Sequence, residues 1–235
     1  MLIPDWSRIR RIVRITLRIL IALILLDAGY VIGKMPDWDF YAQGPFIESA
    51  FILDYRYQRS QDRTLPPLRW QPVSLRSMSP HLLRAVLVAE DSRFYQHSGI
   101  DTEALRKAME YNLARQKLVY GGSTISQQLT KNLFLTPSRN PLRKWHELWL
   151  TLALEQSLSK HRILELYLNV AEFGRGIYGA EAASQYYWGR SARNLSLSQA
   201  IDLAATLTSP VENNPQTRTH YFQRQADKIR SNMGL

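Results

Sequence analysis

The feature that most constrains this chain lies at its start. Arg8, Arg10, Arg11, Arg14 and Arg18 precede an apolar run from Ile19 to Leu26, which Asp27-Ala-Gly-Tyr-Val-Ile-Gly33 extends. A helix from about Ile15 to Gly33 has about the 20 residues that cross a bilayer. Up to Lys34 the six basic residues outnumber the two acidic ones, Asp5 and Asp27, giving +4. Arg18 sits near the basic end, where its head can snorkel to the lipid headgroups. Asp27 opposes insertion by about 2.5–3.5 kcal/mol at bilayer depth. We read the segment as a single spanning anchor, with the arginines keeping the N-terminus cytoplasmic and the remainder outside. Two other readings stand beside it. A cleaved signal peptide would need small residues at a cleavage site, and only Asp-Ala-Gly follows Leu26. The arginine spacing also suits an amphipathic helix lying in the interface.

Past this segment the organisation is helical. Residues 36–70 are rich in Pro, Asp, Tyr and Arg without a sustained period, and read as an extracytoplasmic linker with one short strand at Phe51–Tyr57, closed by Pro66-Pro67. Ser79-Pro80 offers an N-cap and a first-turn proline before the apolar run Leu82–Ala89. Ser123 is read as the cap of a helix over Thr124–Phe134, where Ile125, Leu129 and Leu133 recur every four residues. Pro141 starts a helix through Leu158, and Ser159 caps the next, with Ile163, Leu164, Tyr167 and Leu168 on one apolar face. Further helices are expected at Tyr178–Trp188, Ser196–Leu207 and Arg218–Met233. Internal repeats and low-complexity tracts are absent. The expected fold is all-α, organised as a basic tip and anchor over residues 1–35, a linker over 36–70 and one domain over 71–235.

Composition narrows the chemistry. A formal charge of +10 points to an anionic partner, whether nucleic acid, membrane surface or phosphorylated substrate. The absence of Cys excludes thiolate catalysis, disulfides and Cys-bound zinc.

Three clusters can carry chemistry. Glu90-Asp91 ends an apolar helix, and partial burial there would raise a carboxyl into the range of a general base or acid; an ordinary hydrogen-bonded helix-end carboxylate is the plainer reading. Nearby His97 reads first as a structural histidine. Gly121-Gly122-Ser123-Thr124 enters a helix whose first N–H groups and partial positive charge suit an anion. Gln128 and Lys131 gather near it, on a face away from Ile125, Leu129 and Leu133. The loop lacks the lysine of a nucleotide-binding P-loop. Arg139, Arg143, Lys144 and Glu147 form the third cluster, with Lys144 and Arg143 at i,i+3 and i,i+4 spacing to Glu147. Read plainly, it is an exposed ion-pair ladder worth about 0.2–0.5 kcal/mol per pair.

Five runs occur in order: Ala89-Glu-Asp-Ser-Arg-Phe-Tyr-Gln-His-Ser-Gly-Ile-Asp101, Gly121-Gly-Ser-Thr-Ile-Ser-Gln-Gln-Leu-Thr-Lys-Asn132, Arg143-Lys-Trp-His-Glu147, Lys160-His-Arg-Ile-Leu-Glu-Leu-Tyr-Leu-Asn169 and Gly174-Arg-Gly-Ile-Tyr-Gly-Ala-Glu-Ala-Ala183. Together they resemble the family-51 peptidoglycan glycosyltransferases over roughly Trp70 to Pro215. The short C-terminal remainder resembles the monofunctional biosynthetic type rather than the bifunctional penicillin-binding proteins. The resemblance implies a lysozyme-like helical domain that polymerises lipid II, a disaccharide-pentapeptide on undecaprenyl diphosphate, into β-1,4 glycan strands with inversion. It implies Glu90 as the base and Glu147 as the second glutamate near the donor diphosphate. Ser123, Gln128, Lys131, Arg139 and Lys144 would line the donor-side pocket. It implies no organic cofactor, and leaves room for a divalent cation (Mg or Mn) bridging Glu147 to the diphosphate. Implied partners are lipid II, the growing strand, membrane lipid and other cell-wall synthases, in a bacterial inner membrane with the domain periplasmic. Departures from the family pattern are Ser126 for Thr, Trp188 for Phe, Arg190 for Lys, and a looser Leu-Thr-Ser-Pro at 207–210. A non-catalytic membrane scaffold and a lytic glycan-cleaving enzyme are the rival readings; no nucleic-acid-binding motif supports that partner.

Overall fold

The computed structural model describes residues 6–33, 35–115, 122–137 and 141–235. The all-α expectation holds, with eleven α-helices and three very short strands among the described residues. Two compact units are present, residues 1–37 and 38–235.

The first unit is α1, Trp6–Gly33. It is long and apolar enough to cross a membrane, and its described apolar side chains are exposed apart from Val31. It fits a single-pass membrane anchor. The helix starts at Trp6 rather than near Ile15, because arginine is a good helix former and Ile9, Ile12 and Val13 do not interrupt it.

In the second unit the segment expected as an extended linker carries two helices, α2 (Trp38–Gln43) and α3 (Ala50–Gln61). The strand expected at Phe51–Tyr57 is therefore helical. Ser49 explains it: its hydroxyl accepts the Ile52 N–H at 3.2 Å and caps α3. Ile52 and Tyr55, three apart and so on one helical face, are then buried together with Tyr178. Extended pairing in this region is confined to β1, Arg69–Trp70.

The helices that carry the core follow: α4 (Pro80–Glu90), α5 (Thr102–Arg115), α6 (Ile125–Phe134), α7 (Pro141–Ser157) and α8 (Lys160–Val170). Strands β2 (Glu172–Gly174) and β3 (Ile177–Tyr178) lead to α9 (Ala180–Trp188), α10 (Leu197–Thr206) and α11 (His220–Asn232). In the sheet β3 lies between β1, parallel, and β2, antiparallel. Helix α10 packs along α4, and α6 along α7 and α8. The last seven residues of α8 except Glu165 are buried on every side, as expected of a helix inside a core. By contrast α5 buries only Ala108 and holds its surface with Arg106 paired to Glu103 and Glu110, so no apolar stripe announces it.

The starts of α6 and α9 differ from expectation, as does that of α11, which begins at His220 after its Thr219 cap rather than at Arg218. Tyr178 pairs in β3, and α9 begins only after Gly179, whose φ of +85° and 2.8 Å approach of a would-be Cβ to the Asn169 carbonyl exclude a side chain. In α6 the cap is Thr124, not Ser123. Thr124 Oγ1 accepts the Gln127 N–H at 3.2 Å while Gln127 Oε1 accepts the Thr124 N–H at 3.0 Å, a reciprocal box that fixes the start one residue later. The same hydroxyl donates to the Gly99 carbonyl at 2.6 Å.

Asn169, fully buried at the end of α8, ties the core to the sheet. Its amide donates to the Val73 and Glu165 carbonyls at 2.9 and 2.7 Å, and its side-chain oxygen accepts the Val73 N–H at 2.8 Å. Trp70 Nε1 donates to its backbone carbonyl at 2.8 Å. Asn169→Ala leaves both Val73 groups unsatisfied, each worth about 1–3 kcal/mol; thermal melts in detergent should show Tm lower by roughly 5–10 °C. Thr124→Val removes the α6 cap and should cost about 1–2 kcal/mol in the same assay, and an unchanged melt would contradict the cap.

Candidate active site

Glu90 is the last residue of α4, and Asp91 is its C-cap. Asp91 organises the turn that follows. His97 Nε2 lies 3.0 Å from both of its oxygens, so with a carboxylate as partner that nitrogen carries the hydrogen. Asp91 Oδ2 also accepts the backbone N–H of Ile125 at 3.1 Å, which holds the end of α4 against the start of α6. His97 is thus structural, as its residue type suggested.

That contact sets Glu90 over the first turns of α6. Glu90 Oε2 accepts Gln128 Nε2 at 2.6 Å, and Gln128 Oε1 accepts the Tyr167 hydroxyl of α8 at 3.0 Å. Burial holds the Glu90 carboxyl above the usual glutamate range; the Gln128 hydrogen bond and the Lys131 ammonium oppose this, and Asp91 reinforces it. The expectation of a helix-end carboxyl raised by burial is met, Glu90 being half-buried as a residue with desolvation the main cause of the shift.

The cationic side of the site is built on α6 and α7. Glu147 is 2% exposed, so the cluster is no surface ladder. Arg143 Nη1 donates to Glu147 Oε2 at 2.9 Å and Lys144 Nζ donates to Oε1. Lys144 Nζ also lies 3.4 Å from Ser123 Oγ. Lys131 completes the set: burial pushes its ammonium down, Glu147 pulls it up, Arg143 and Lys144 push it down, and Glu90 pulls it up. Lys131 therefore feels both glutamates.

At the helix start read as an anion site, three backbone donors are already engaged within the protein. The Thr124, Ile125 and Gln127 N–H groups are taken by Gln127, Asp91 and Thr124 side chains respectively. Those donors do not face an anion, and positive charge here comes from side chains instead. Gly121 and Arg139 lie outside the described residues. Of the other residues singled out, Glu90, Gln128 and Lys131 stand together, and Lys144, Glu147 and Ser123 stand together, with Lys131 joining the groups. Glu90 and Ser123 both line a cavity of about 440 Å³, with Lys107 and Lys228 among its walls. Ser126 has no place in this site; its hydroxyl donates to Glu155, which also takes Lys160 at 2.7 Å.

Another group with metal-ligand spacing is Asp91, His97 and Asp101, whose ligand atoms lie within 4.8 Å of one another. Asp91 is engaged as above, and Asp101 accepts the Ala104 N–H at 2.9 Å and pairs with Arg93 at 3.4 Å. These oxygens already hold the turn together. Arg143, read from its i,i+4 spacing, pairs with Glu147 as an ion-pair ladder expects. Tyr167 is the contributor that sequence leaves unassigned, since it reads as one more member of an apolar stripe.

The arrangement offers a raised carboxyl at a cavity, backed by cations that suit a polyanionic leaving group. Comparison with known proteins agrees in kind. The family described as Transglycosylase matches residues 61–234. Proteins named biosynthetic peptidoglycan transglycosylase are similar along most of the chain. That of Nitrosospira multiformis is 43% identical over 190 residues, 81% of each chain. That of Chromobacterium violaceum is 44% identical over 200 residues, 84% of this chain and 86% of the relative. That of Thiobacillus denitrificans is 46% identical over 216 residues, 91% of each. With a matched domain over residues 61–234 and similarity of this extent, the chain belongs to the transglycosylase family.

Proposed function

We propose that the protein is a membrane-anchored peptidoglycan glycosyltransferase that polymerises lipid II, with Glu90 as the general base. The observation that carries this reading is the raised Glu90 carboxyl, held at the cavity by Gln128 and flanked by Lys131. The 4-hydroxyl of the acceptor's N-acetylglucosamine attacks the donor's anomeric carbon. As the O4–C1 bond forms, its proton passes to Glu90; the bond from C1 to the diphosphate oxygen breaks, and undecaprenyl diphosphate leaves with the electron pair. In-line attack turns the α-linked donor into a β-1,4 product. In this reading Lys131 and Lys144 offset the charge that develops on the diphosphate, which the position of Ser123 beside Lys144 supports; Arg139 is assigned to the same pocket by resemblance.

Glu147 in this scheme holds the cations. Both of its oxygens are occupied by Arg143 and Lys144, and Lys131 adds a third positive neighbour. One carboxylate so surrounded does not suit a protein-held Mg or Mn ion, whose sites are built from several oxygen ligands. A lytic enzyme would also use a raised glutamate but has no need of this cation set. A scaffold would not need either.

The anchor fits the substrate, since α1 would keep the domain beside lipid-borne material. Its arginine-rich start favours a cytoplasmic N-terminus, with the domain on the periplasmic face of the inner membrane. Lipid II, the growing strand, bilayer lipid and other cell-wall synthases are the partners this placement implies.

Glu90→Gln in the full-length enzyme should lower lipid II polymerisation by at least about 10²-fold; near-normal rates would remove Glu90 as the base. Because the base must be ionised, kcat/KM should fall as pH drops through the Glu90 value, with the limb above that of an ordinary glutamate near pH 4.3. Lys131→Ala should reduce kcat about 10²-fold, as loss of one transition-state donor does, and normal turnover would argue against its role at the diphosphate.

A further inference from the structure

Tyr167 is 1% exposed, inside the apolar face of α8, yet its hydroxyl has a defined partner. It donates to Gln128 Oε1, and the other end of that amide donates to Glu90 Oε2. The direction of both bonds is dictated by what each group can do. An ionised carboxylate only accepts, so Gln128 must turn its NH₂ to Glu90. That leaves the amide oxygen facing Tyr167, which must donate. Reversing the amide would set oxygen against carboxylate. Without the hydroxyl, the correct orientation would leave the half-buried amide oxygen without its protein partner, and the amide would be free to turn.

We propose that Tyr167 is a positioning residue that acts through the Gln128 amide to fix the direction in which Glu90 offers its other oxygen to the acceptor hydroxyl. This deepens the reading of Glu90 as base and rests on it. It also changes the part played by Gln128, whose amide is committed at both ends within the protein. The charged neighbours that bear on Glu90 are Lys131 from α6 and Asp91 from the end of α4. Neither is altered by removing the Tyr167 hydroxyl, so a changed titration of the base would report the relay.

The test uses the full-length enzyme in detergent with lipid II. Tyr167→Phe should fold, lower kcat about ten-fold, roughly what one well-placed hydrogen bond is worth, and leave KM within about two-fold. The acid limb of its kcat/KM profile should move to higher pH, since an amide free to turn no longer favours the ionised carboxylate. Gln128→Met, similar in volume and lacking both bonds, should move the limb the same way and supplies the readout if Tyr167→Phe does not fold. In the Gln128→Met background, Tyr167→Phe should add almost nothing. A second ten-fold loss there, or an unmoved limb in either single variant, would overturn the relay. An active Glu90→Gln enzyme overturns the base and the relay together; an inactive one beside a Tyr167→Phe enzyme of normal kcat and normal limb overturns the relay alone.

Discussion

The hydrogen bond from the Ile125 N–H to Asp91 Oδ2 joins two helix ends that would otherwise leave polar groups unsatisfied. Helix α4 ends in a carboxylate, which is disfavoured at a C-terminus, and α6 begins with backbone donors that need acceptors. Setting the Asp91 carboxylate at the start of α6 meets both needs, and His97 holds it there from the other side. Glu90, one residue earlier, is thereby placed over Gln128. The order of the motifs in the chain follows from this geometry. The Glu-Asp turn, the histidine behind it and the start of α6 form one structural unit although 34 residues separate Asp91 from Ile125.

The same start shows how a helix can be adjacent to an anion site without binding the anion through its backbone. Side chains of Gln127, Asp91 and Thr124 take the N–H groups of Thr124, Ile125 and Gln127, so much of the partial positive charge there is answered within the protein. Cationic side chains then have to supply the charge, and keeping them close together requires a counter-charge. Glu147 provides it. A buried carboxylate with two guanidinium or ammonium partners is stable only as a set, and losing one partner from such a set typically costs about 3–5 kcal/mol. The tight pairing of Glu147 is therefore an account of why Lys144 stays near Ser123 rather than extending into solvent.

Much of this was legible in the sequence because helical periodicity reports burial. The run Ile163, Leu164, Tyr167, Leu168 and the every-fourth pattern of Ile125, Leu129 and Leu133 gave α8 and α6, and Ser79-Pro80 gave the start of α4. Failures came where a local signal depends on distant partners. Residues 50–61 looked aperiodic because their buried pair, Ile52 and Tyr55, completes its core only with Tyr178, far along the chain. Ser123 and Thr124 are equally good caps by type, and only the reciprocal contact with Gln127 decides between them. Tyr167 was hidden for a related reason: a buried aromatic is counted as apolar by any periodicity, and its hydroxyl matters only because α6 brings Gln128 alongside. Glu90 and Glu147 were visible as carboxylates at helix positions, but their burial, which separates a base from a surface ion pair, belongs to the packed structure.

Helix α6 now appears as the element that couples the two halves of the site. Gln128 and Lys131 are three residues apart on it, so one faces the base and the other stands between the two glutamates. The helix is short, capped at its start by Thr124 and packed on α7, which carries Glu147, and on α8, which carries Tyr167. A displacement of α6 would therefore move the hydrogen-bond donor of the base and the shared cation together. The two cannot be tuned separately by shifting backbone, only by changing side chains. That constraint accords with a polar-rich helix inside the core: Ser126, Gln127, Thr130 and Asn132 of α6 are buried alongside Ile125, Leu129 and Leu133. The hydrogen bonds that Ser126 makes to Glu155 of α7, and Gln128 to Glu90 and Tyr167, restrict how the helix can shift or rotate, where a wholly apolar surface would tolerate several registers.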